Sequence, residues 1–401
     1  MADRTMGVEE ELMLVDPETL GLRAVSHVAL AAHLDGLVAP ARSADALDGS
    51  DCSDGSDGSD GSDGSDESDR ESSLDQELFL QQLETGTEAC LTTSELRRSL
   101  LSSRRAAAAA AAAASAALVA VGTPVLAIGE DQVTPKPRYQ RIVQEFGEIG
   151  RQGSVCGTHV HVDVADDAEG VRVIDGLRPW LPVLRALSVN SPYWHGHDTG
   201  YASWRSQVWG RWPSAGPSDP FGDPEGYSAA TDALIASGAA LDAGMLYYDA
   251  RLSRRYPTVE VRVFDAMTEP DDVLLLAMLT RALVTTVAEE TSGGRRGASS
   301  PWRSEMLRAA HWRASRDGLS RDLLDPGTGG RRPARDVVGG LVAHVRAALE
   351  DSADLDEVTD SFERLLARGT GAARQRAAAE RGGGLEPVVA DLLTRFAASW
   401  A

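Results

Sequence analysis

Gly157-Thr158-His159-Val160-His161-Val162-Asp163-Val164 alternates valine with imidazole and carboxylate side chains. A strand sends successive side chains to opposite faces, so His159 and His161 project from one side and the valines from the other. The same layout recurs twice elsewhere in the chain. In Gly-Val-Glu-Glu-Glu-Leu-Met-Leu-Val (7–15), Glu9 and Glu11 share a side; in Thr-Val-Glu-Val-Arg-Val-Phe (258–264), Glu260 and Arg262 do. The expectation is a sheet with one oily face and one chemically loaded face. For any single run, the plain alternative is a half-solvated antiparallel sheet with a polar outer side. Three runs together argue against it, because solvent faces favour Thr, Lys and Ser over His and Glu at repeated positions. Covered carboxylates and imidazoles are costly to desolvate, so a shared cation or substrate is implied.

The 401 residues accommodate one large domain or two, and 42% hydrophobic content is enough for a core. A net charge of -22 argues against nucleic acid and anionic membrane as partners, since both need a basic footprint. Residues 48–71 hold ten acids and one Arg, so the acidity is both local and general. No N-terminal stretch has the layout of a signal peptide, and no run approaches the roughly 18 apolar residues of a membrane span. Cys52, Cys90 and Cys156 form no CxxC pair and no even framework, which suits a reducing cytoplasm.

Along the chain, a turn at Asp16-Pro17-Glu18 and a short polar connection follow the first strand. Residues 48–73 degenerate into repeated Ser-Asp-Gly, with nothing to bury, and are expected to be disordered. They lack the D-x-D-x-D-G spacing of a calcium loop. Gln82–Thr87 reads as a strand on which Gln82 and Glu84 share a face. A long helix is expected from Thr93 to about Val121, capped by Thr93 or Ser94, with Glu95 in its first turn and nine consecutive alanines. Residues 123–128 read as a further strand and Arg138–Gly147 as a short helix. Ser188–Asp223, rich in Trp, Gly, Pro, Asn and Arg, is a long aperiodic stretch of the kind that is usually functional. Helices are expected near 271–290, 301–317, 335–350, 354–368 and 385–398, with glycine links at 327–330 and 382–384.

Glu9, Glu11, Glu84, Glu260 and His159 make a hard, oxygen-rich donor set with one imidazole. That set suits Mg²⁺ or Mn²⁺ better than zinc and points to phosphate chemistry. His161 reads as a solvated or supporting residue. Lys136 is the single lysine, and neither G-x-x-x-x-G-K-[ST] nor a strand-following G-x-G-x-x-G occurs. P-loop ATPases and protein kinases are thereby excluded, and phosphate charge must be met by metal and arginine. Arg262 is the leading candidate for the transferring phosphoryl group; a salt bridge to a carboxylate on the same sheet is its structural alternative. Arg205 and Arg211 are candidates for holding a substrate carboxylate beside Trp204, with cation–π packing on Trp204, Trp209 or Trp212 as the alternative.

Gly7-Val8-Glu9-Glu10-Glu11, Cys156 through Val162, Asn190-Ser191-Pro192 through Arg205 to Arg211-Trp212-Pro213, and Glu260-Val261-Arg262 together resemble the type 2 glutamate–cysteine ligases, and more closely their bacterial carboxylate-amine ligase branch. The resemblance is collinear over residues 5 to 320. It implies an α+β fold: a glutamine-synthetase-like curved antiparallel sheet with helices packed on its outer face. The whole chain, 1–401, would then be a single ligase domain with 300–401 as its helical C-terminal part and 48–73 as an inserted loop. The resemblance further implies ATP and Mg²⁺ as cofactors, with Mn²⁺ as a possible substitute. Metal ligands fall at Glu9, Glu11, Glu84, His159 and Glu260, and Arg262 falls near the phosphates; Glu77 and Glu88 flank Glu84 as competing matches. The implied reaction phosphorylates a carboxylate, most simply the γ-carboxyl of glutamate, and an amine, that of cysteine, then attacks the acyl phosphate. The expected partners are small molecules (amino acids and ATP), with a homodimer as the expected assembly and the cytoplasm as the location. Two rivals stand beside this reading: a phosphotransferase or guanidino kinase of the same fold, and a non-catalytic metal- or metabolite-binding homologue.

Overall fold

The computed structural model describes residues 4–42, 74–127, 129, 131–292 and 302–400, and the expected Ser-Asp-Gly disorder at 48–73 lies outside them. The main sheet has seven strands: β1 (Met6–Val15), β2 (Leu74–Gln76), β3 (Gln82–Gly86), β4 (Ala117–Val119), β5 (Gly157–Asp163), β6 (Ala250–Leu252) and β7 (Thr258–Asp265). Their order is β2-β3-β1-β5-β7-β6, with β4 paired to the far end of β1, and every pairing is antiparallel. The three loaded runs are therefore the three adjacent central strands.

Register turns that adjacency into a site. Glu9 stands opposite His159, Glu11 opposite Glu84, and Glu260 opposite both His161 and Arg251. A one-residue slip would move each of these side chains to the oily face, so the valine pattern and the polar pattern enforce one another. Val8, Val160, Val162, Val259 and Val261 pack in one apolar cluster with Leu275, Leu276, Leu279 and Leu283 of the long helix Pro270–Thr291. Each such side chain contributes at most about 1.5–3 kcal/mol. Helices Asp167–Leu177 and Leu181–Ser188 supply further apolar residues to that cluster.

One residue breaks the alternation. Glu10 points to the oily side, where the guanidinium of Arg104 meets it in a two-bond fork at 2.8 and 2.6 Å; both side chains are fully buried. Arg104 also donates to the carbonyls of Met267 and Thr268, so the charges are paired and their donors satisfied.

Several expectations are corrected. The alanine helix is Thr93–Ala113, capped by Thr92 in a reciprocal capping box with Glu95. It stops eight residues short of Val121, because Ser115 turns at φ +55° and the chain reverses into β4 against Met13–Val15. Residues 123–127 form no strand. The stretch after Pro17 carries a helix, Ser26–Arg42, and among the further helices not anticipated are Glu148–Arg151, Asp167–Leu177, Leu181–Ser188, Pro224–Ala236 and Gly371–Gly382. The 335–350 span is two helices broken at Val345, and Gly327–Gly330 is the turn of a hairpin between Asp322–Leu324 and Arg331–Pro333. The other helices end within about two residues of expectation: Pro137–Phe146, Pro270–Thr291, Ser304–Asp317, Leu355–Arg368 and Glu386–Ala398. Ser188–Asp223 is largely irregular, holding a two-residue hairpin at Tyr193–Trp194/His197–Asp198 and a short helix, Arg205–Trp209.

Candidate active site

His159 is the hub of the loaded face. Its Nδ1 lies 3.1 Å from Glu9 Oε2 and 3.7 Å from Glu260 Oε1, and its Nε2 lies 3.7 Å from Glu11 Oε1. One ligand atom each from Glu9, His159 and Glu260 fall within 4.8 Å of one another, and a second such group is Glu11, Glu77 and Glu84. Six side chains from four strands and one connecting loop thus form two adjoining clusters.

The electrostatics follow from burial and neighbours. Burial, reinforced by the positive charge of Arg262, pushes the His159 imidazole down to about 4 and keeps it neutral. Burial and the repulsion of Glu77 push the Glu11 carboxyl up to about 7, against the pull of Arg205, Arg262 and the Gly157 amide that donates to it at 2.5 Å. Glu84 is driven well above the usual carboxylate range by burial and by Glu77 and Glu9. At Glu260 and Glu9 the balance is reversed. Burial opposes ionisation of Glu260, but Arg262 and Arg251 outweigh it and hold its carboxyl far below the usual range; at Glu9 the hydrogen bonds of His159 and His161 do the same. Three carboxylates crowded together beside a neutral imidazole are what a divalent ion would stabilise.

Arg262 hydrogen-bonds directly to Glu260 and lies 3.4 Å from His159 Nδ1. The same-sheet salt bridge therefore exists, while Arg262 Nε remains buried without a partner. Arg251 grips the other side of Glu260 at 2.6 and 3.3 Å. Arg205 is 2% exposed, its charge felt by Glu11, with its guanidinium 5.6 Å over the Trp209 ring. It lies against Gly157, where a Cβ would come within 2.6 Å of Arg205 Cζ, so only glycine leaves it room. Trp204, the residue before Arg205, stacks edge-on to Tyr201 and has a buried, unpartnered Nε1. Arg211 is exposed, and its charge reaches His195. His161 joins the site more closely than expected: its Nε2 is 3.4 Å from Glu9 Oε1 and its Nδ1 3.0 Å from Thr258 Oγ1. Glu77, the flanking alternative to Glu84, stands beside it and completes the second cluster.

The donor set fits a hard divalent cation: five carboxylates and one neutral imidazole, with His159 Nε2 buried and unpartnered.

The sequence model of glutamate-cysteine ligase family 2 matches residues 5–391. The chain belongs to that family. The match runs past residue 320, into the last helix. A protein of Nocardioides sp., provisionally named glutamate–cysteine ligase 2-1, is 46% identical over 397 residues, 99% of this chain and 97% of its own. A provisional glutamate–cysteine ligase 2-2 of Frankia alni is 44% identical, covering 98% and 96%. Among solved structures, the glutamate–cysteine ligase of Francisella tularensis in complex with AMP superposes with a TM-score of 0.57 at 11% identity, covering 100% of this chain and 89% of that one. The bifunctional glutathione synthetase of Pasteurella multocida gives 0.61 at 14% identity, covering 99% and 52%. The α+β architecture, an antiparallel sheet backed by helices, is that of the glutamate–cysteine ligases. At family level the activity is that of a carboxylate-amine ligase. No helix among the described residues is long and apolar enough to cross a membrane.

Proposed function

We propose that this chain is an ATP- and Mg²⁺-dependent glutamate–cysteine ligase: ATP phosphorylates the γ-carboxyl of glutamate, and the amine of cysteine displaces phosphate to form the amide. The observation that supports it most is the convergence of Glu9, His159 and Glu260 from three different strands within 4.8 Å, beside a second carboxylate cluster. A solvent-facing sheet would not concentrate buried like charges in this way.

In this reading Glu9, His159 and Glu260 hold one cation, and Glu11, Glu84 and Glu77 hold another. Bound there, the ions would neutralise the triphosphate and the charge that develops on the transferred phosphoryl group. The chain's own residues prepare the ground. Arg251 and Arg262 fix Glu260 as an ionised ligand, and the neutral His159 keeps a lone pair free. Arg262 also presents its positive charge to the phosphates. Arg205 offers a buried cation to a substrate carboxylate, with Trp204 beside it and Arg211 at the rim of the same loop. The whole chain acts as one ligase unit in the cytoplasm, with small-molecule substrates, and a homodimer is the proposed assembly.

The test is an ADP-release screen that crosses glutamate and other acids with cysteine and alternative amines, followed by mass spectrometry. γ-Glutamylcysteine as product is the expected result. A phosphorylated amine without amide would replace the reading with a phosphotransferase. Ligand binding without ATP consumption would replace it with a non-catalytic homologue.

A further inference from the structure

Asp265 closes β7 three residues beyond Arg262 and is completely buried, yet no cationic side chain among the described residues hydrogen-bonds to it. Its carboxylate is spent on one loop. Oδ2 accepts from the Asn190 amide at 2.8 Å and the Ser191 hydroxyl at 2.7 Å, and Oδ1 accepts from the Ser203 hydroxyl at 2.7 Å. Ser191 Oγ in turn accepts from the backbone amide of Arg205 at 3.0 Å, and the Ser191 carbonyl accepts from the Trp204 amide at 2.9 Å. One carboxylate therefore fastens both ends of the 190–205 loop to the catalytic sheet, and it reaches the backbone of Arg205 through a single intervening hydroxyl, that of Ser191.

Arg205 needs such fastening. It is a fully buried cation whose Nε has no partner and whose side chain makes no hydrogen bond to any described residue. Glu11 and Asp265 are the carboxylates whose negative charge acts on it most strongly, and Asp249 also feels its charge. A neutral side chain at 265 accepting the same hydrogen bonds would hold the loop equally well if shape alone mattered. Keeping a buried, unpaired carboxylate is costly unless its charge has a use. A buried guanidinium with free donors is poised for an anion brought by the substrate, provided its backbone does not shift.

We infer that Asp265 is a positioning residue: through the Ser191 and Ser203 hydroxyls and its own charge it sets Arg205 as the anchor for an anionic group of the acid substrate. The inference rests on the ligase reading of the site and concerns the acid substrate, not ATP. Asp265 touches no reactant itself.

The test is a kinetic cycle on the full chain with Asp265→Asn, Ser191→Ala, Arg205→Ala and the double variants Asp265→Asn/Arg205→Ala and Ser191→Ala/Arg205→Ala. Asp265→Asn and Ser191→Ala should each raise KM for glutamate by about tenfold or more while leaving KM for ATP within about twofold. Once Arg205 is gone, adding either substitution should change KM for glutamate by less than about twofold, because groups acting through one another are not additive. Equal losses for glutamate and ATP, full additivity with Arg205→Ala, or unchanged kinetics in both single variants would overturn the inference. Should Asp265→Asn fail to fold, the Ser191→Ala arm decides alone. If wild-type protein forms no amide with any acid and amine, the ligase reading falls. The cycle is then read by calorimetry of glutamate binding to protein loaded with Mg²⁺ and a non-hydrolysable ATP analogue. Glutamate heats lost with Arg205→Ala and with Asp265→Asn alike, and not further lost in the double variant, sustain the positioning role; heats unaffected by Asp265→Asn and Ser191→Ala reject it.

Discussion

Glu260 is held from three sides, by Arg262, by Arg251 and by the nearby His159, so its oxygens are ionised and fixed before any ligand arrives. Glu260→Gln keeps the shape and removes the charge. Turnover is expected to fall by at least about a hundredfold, the scale of removing one preorganised electrostatic group, while far-UV circular dichroism stays that of wild type; a variant with normal turnover would end its assignment as a ligand. Away from the site, Arg104→Met strands a buried carboxylate at Glu10 and should cost about 3–5 kcal/mol in denaturant unfolding. Replacing both partners with apolar residues should recover much of it. At this scale the sequence was readable wherever residues two apart carried the chemistry, as at Glu9/Glu11, His159/His161 and Glu260/Arg262. Arg251 was not readable, because its strand is three residues long and offers no period. Glu77 lies in an irregular stretch after β2, and only tertiary folding brings it to Glu84.

Helices and strands were legible to different degrees, for a physical reason. The β5 and β7 runs carry β-branched residues at every second place, and β1 sets Val8, Leu12 and Leu14 on one face, whereas the alanine run from Ala106 to Ala114 has the same propensity at every position and cannot signal its own end. Helix Ala113 stops because β1 offers the next segment a strand partner, a long-range cause. Helix Ser304–Asp317 adds a testable property. Its His311 is buried, with Nε2 3.2 Å from Asp249 Oδ2, and burial followed by the charge of Arg185 holds its imidazole well below the usual range. The folded state therefore takes up its proton less readily than the unfolded chain. This contribution to stability is complete above the ordinary imidazole value and is lost as pH falls below it. Relative to a His311→Gln variant, wild-type protein should lose up to about 2 kcal/mol between pH 7 and pH 5, following an unfolded-state value of roughly 6.5. Parallel unfolding midpoints for the two proteins across that range would disprove the assignment.

Across the whole molecule, the loaded face of β1 changes character along its length, and the C-terminus exploits the change. Glu9 and Glu11 face the site, but Met13 and Val15, next on the same face, pack with Val388, Val389 and Leu392 of helix Glu386–Ala398; Phe396 reaches Leu12 and Leu14 on the other face. The last helix thus packs on β4, the short strand paired with the far end of β1, and shares apolar clusters with the part of β1 beyond its two acidic site residues. Burying Val388, Val389, Leu392 and Phe396 contributes about 6–12 kcal/mol at roughly 1.5–3 kcal/mol each, comparable with the total stability of about 5–15 kcal/mol typical of a domain. A chain ending at Gly384 should therefore not accumulate as folded protein, although every residue of the two carboxylate clusters is retained. Arg395→Ala, which removes partly exposed ion pairs to Glu269 and Asp391 without removing the helix's apolar face, should shift the thermal midpoint by only a few degrees. Soluble, cooperatively unfolding protein from the shortened chain, with wild-type Mg²⁺ affinity by calorimetry, would show that the sheet stands without its C-terminal cover.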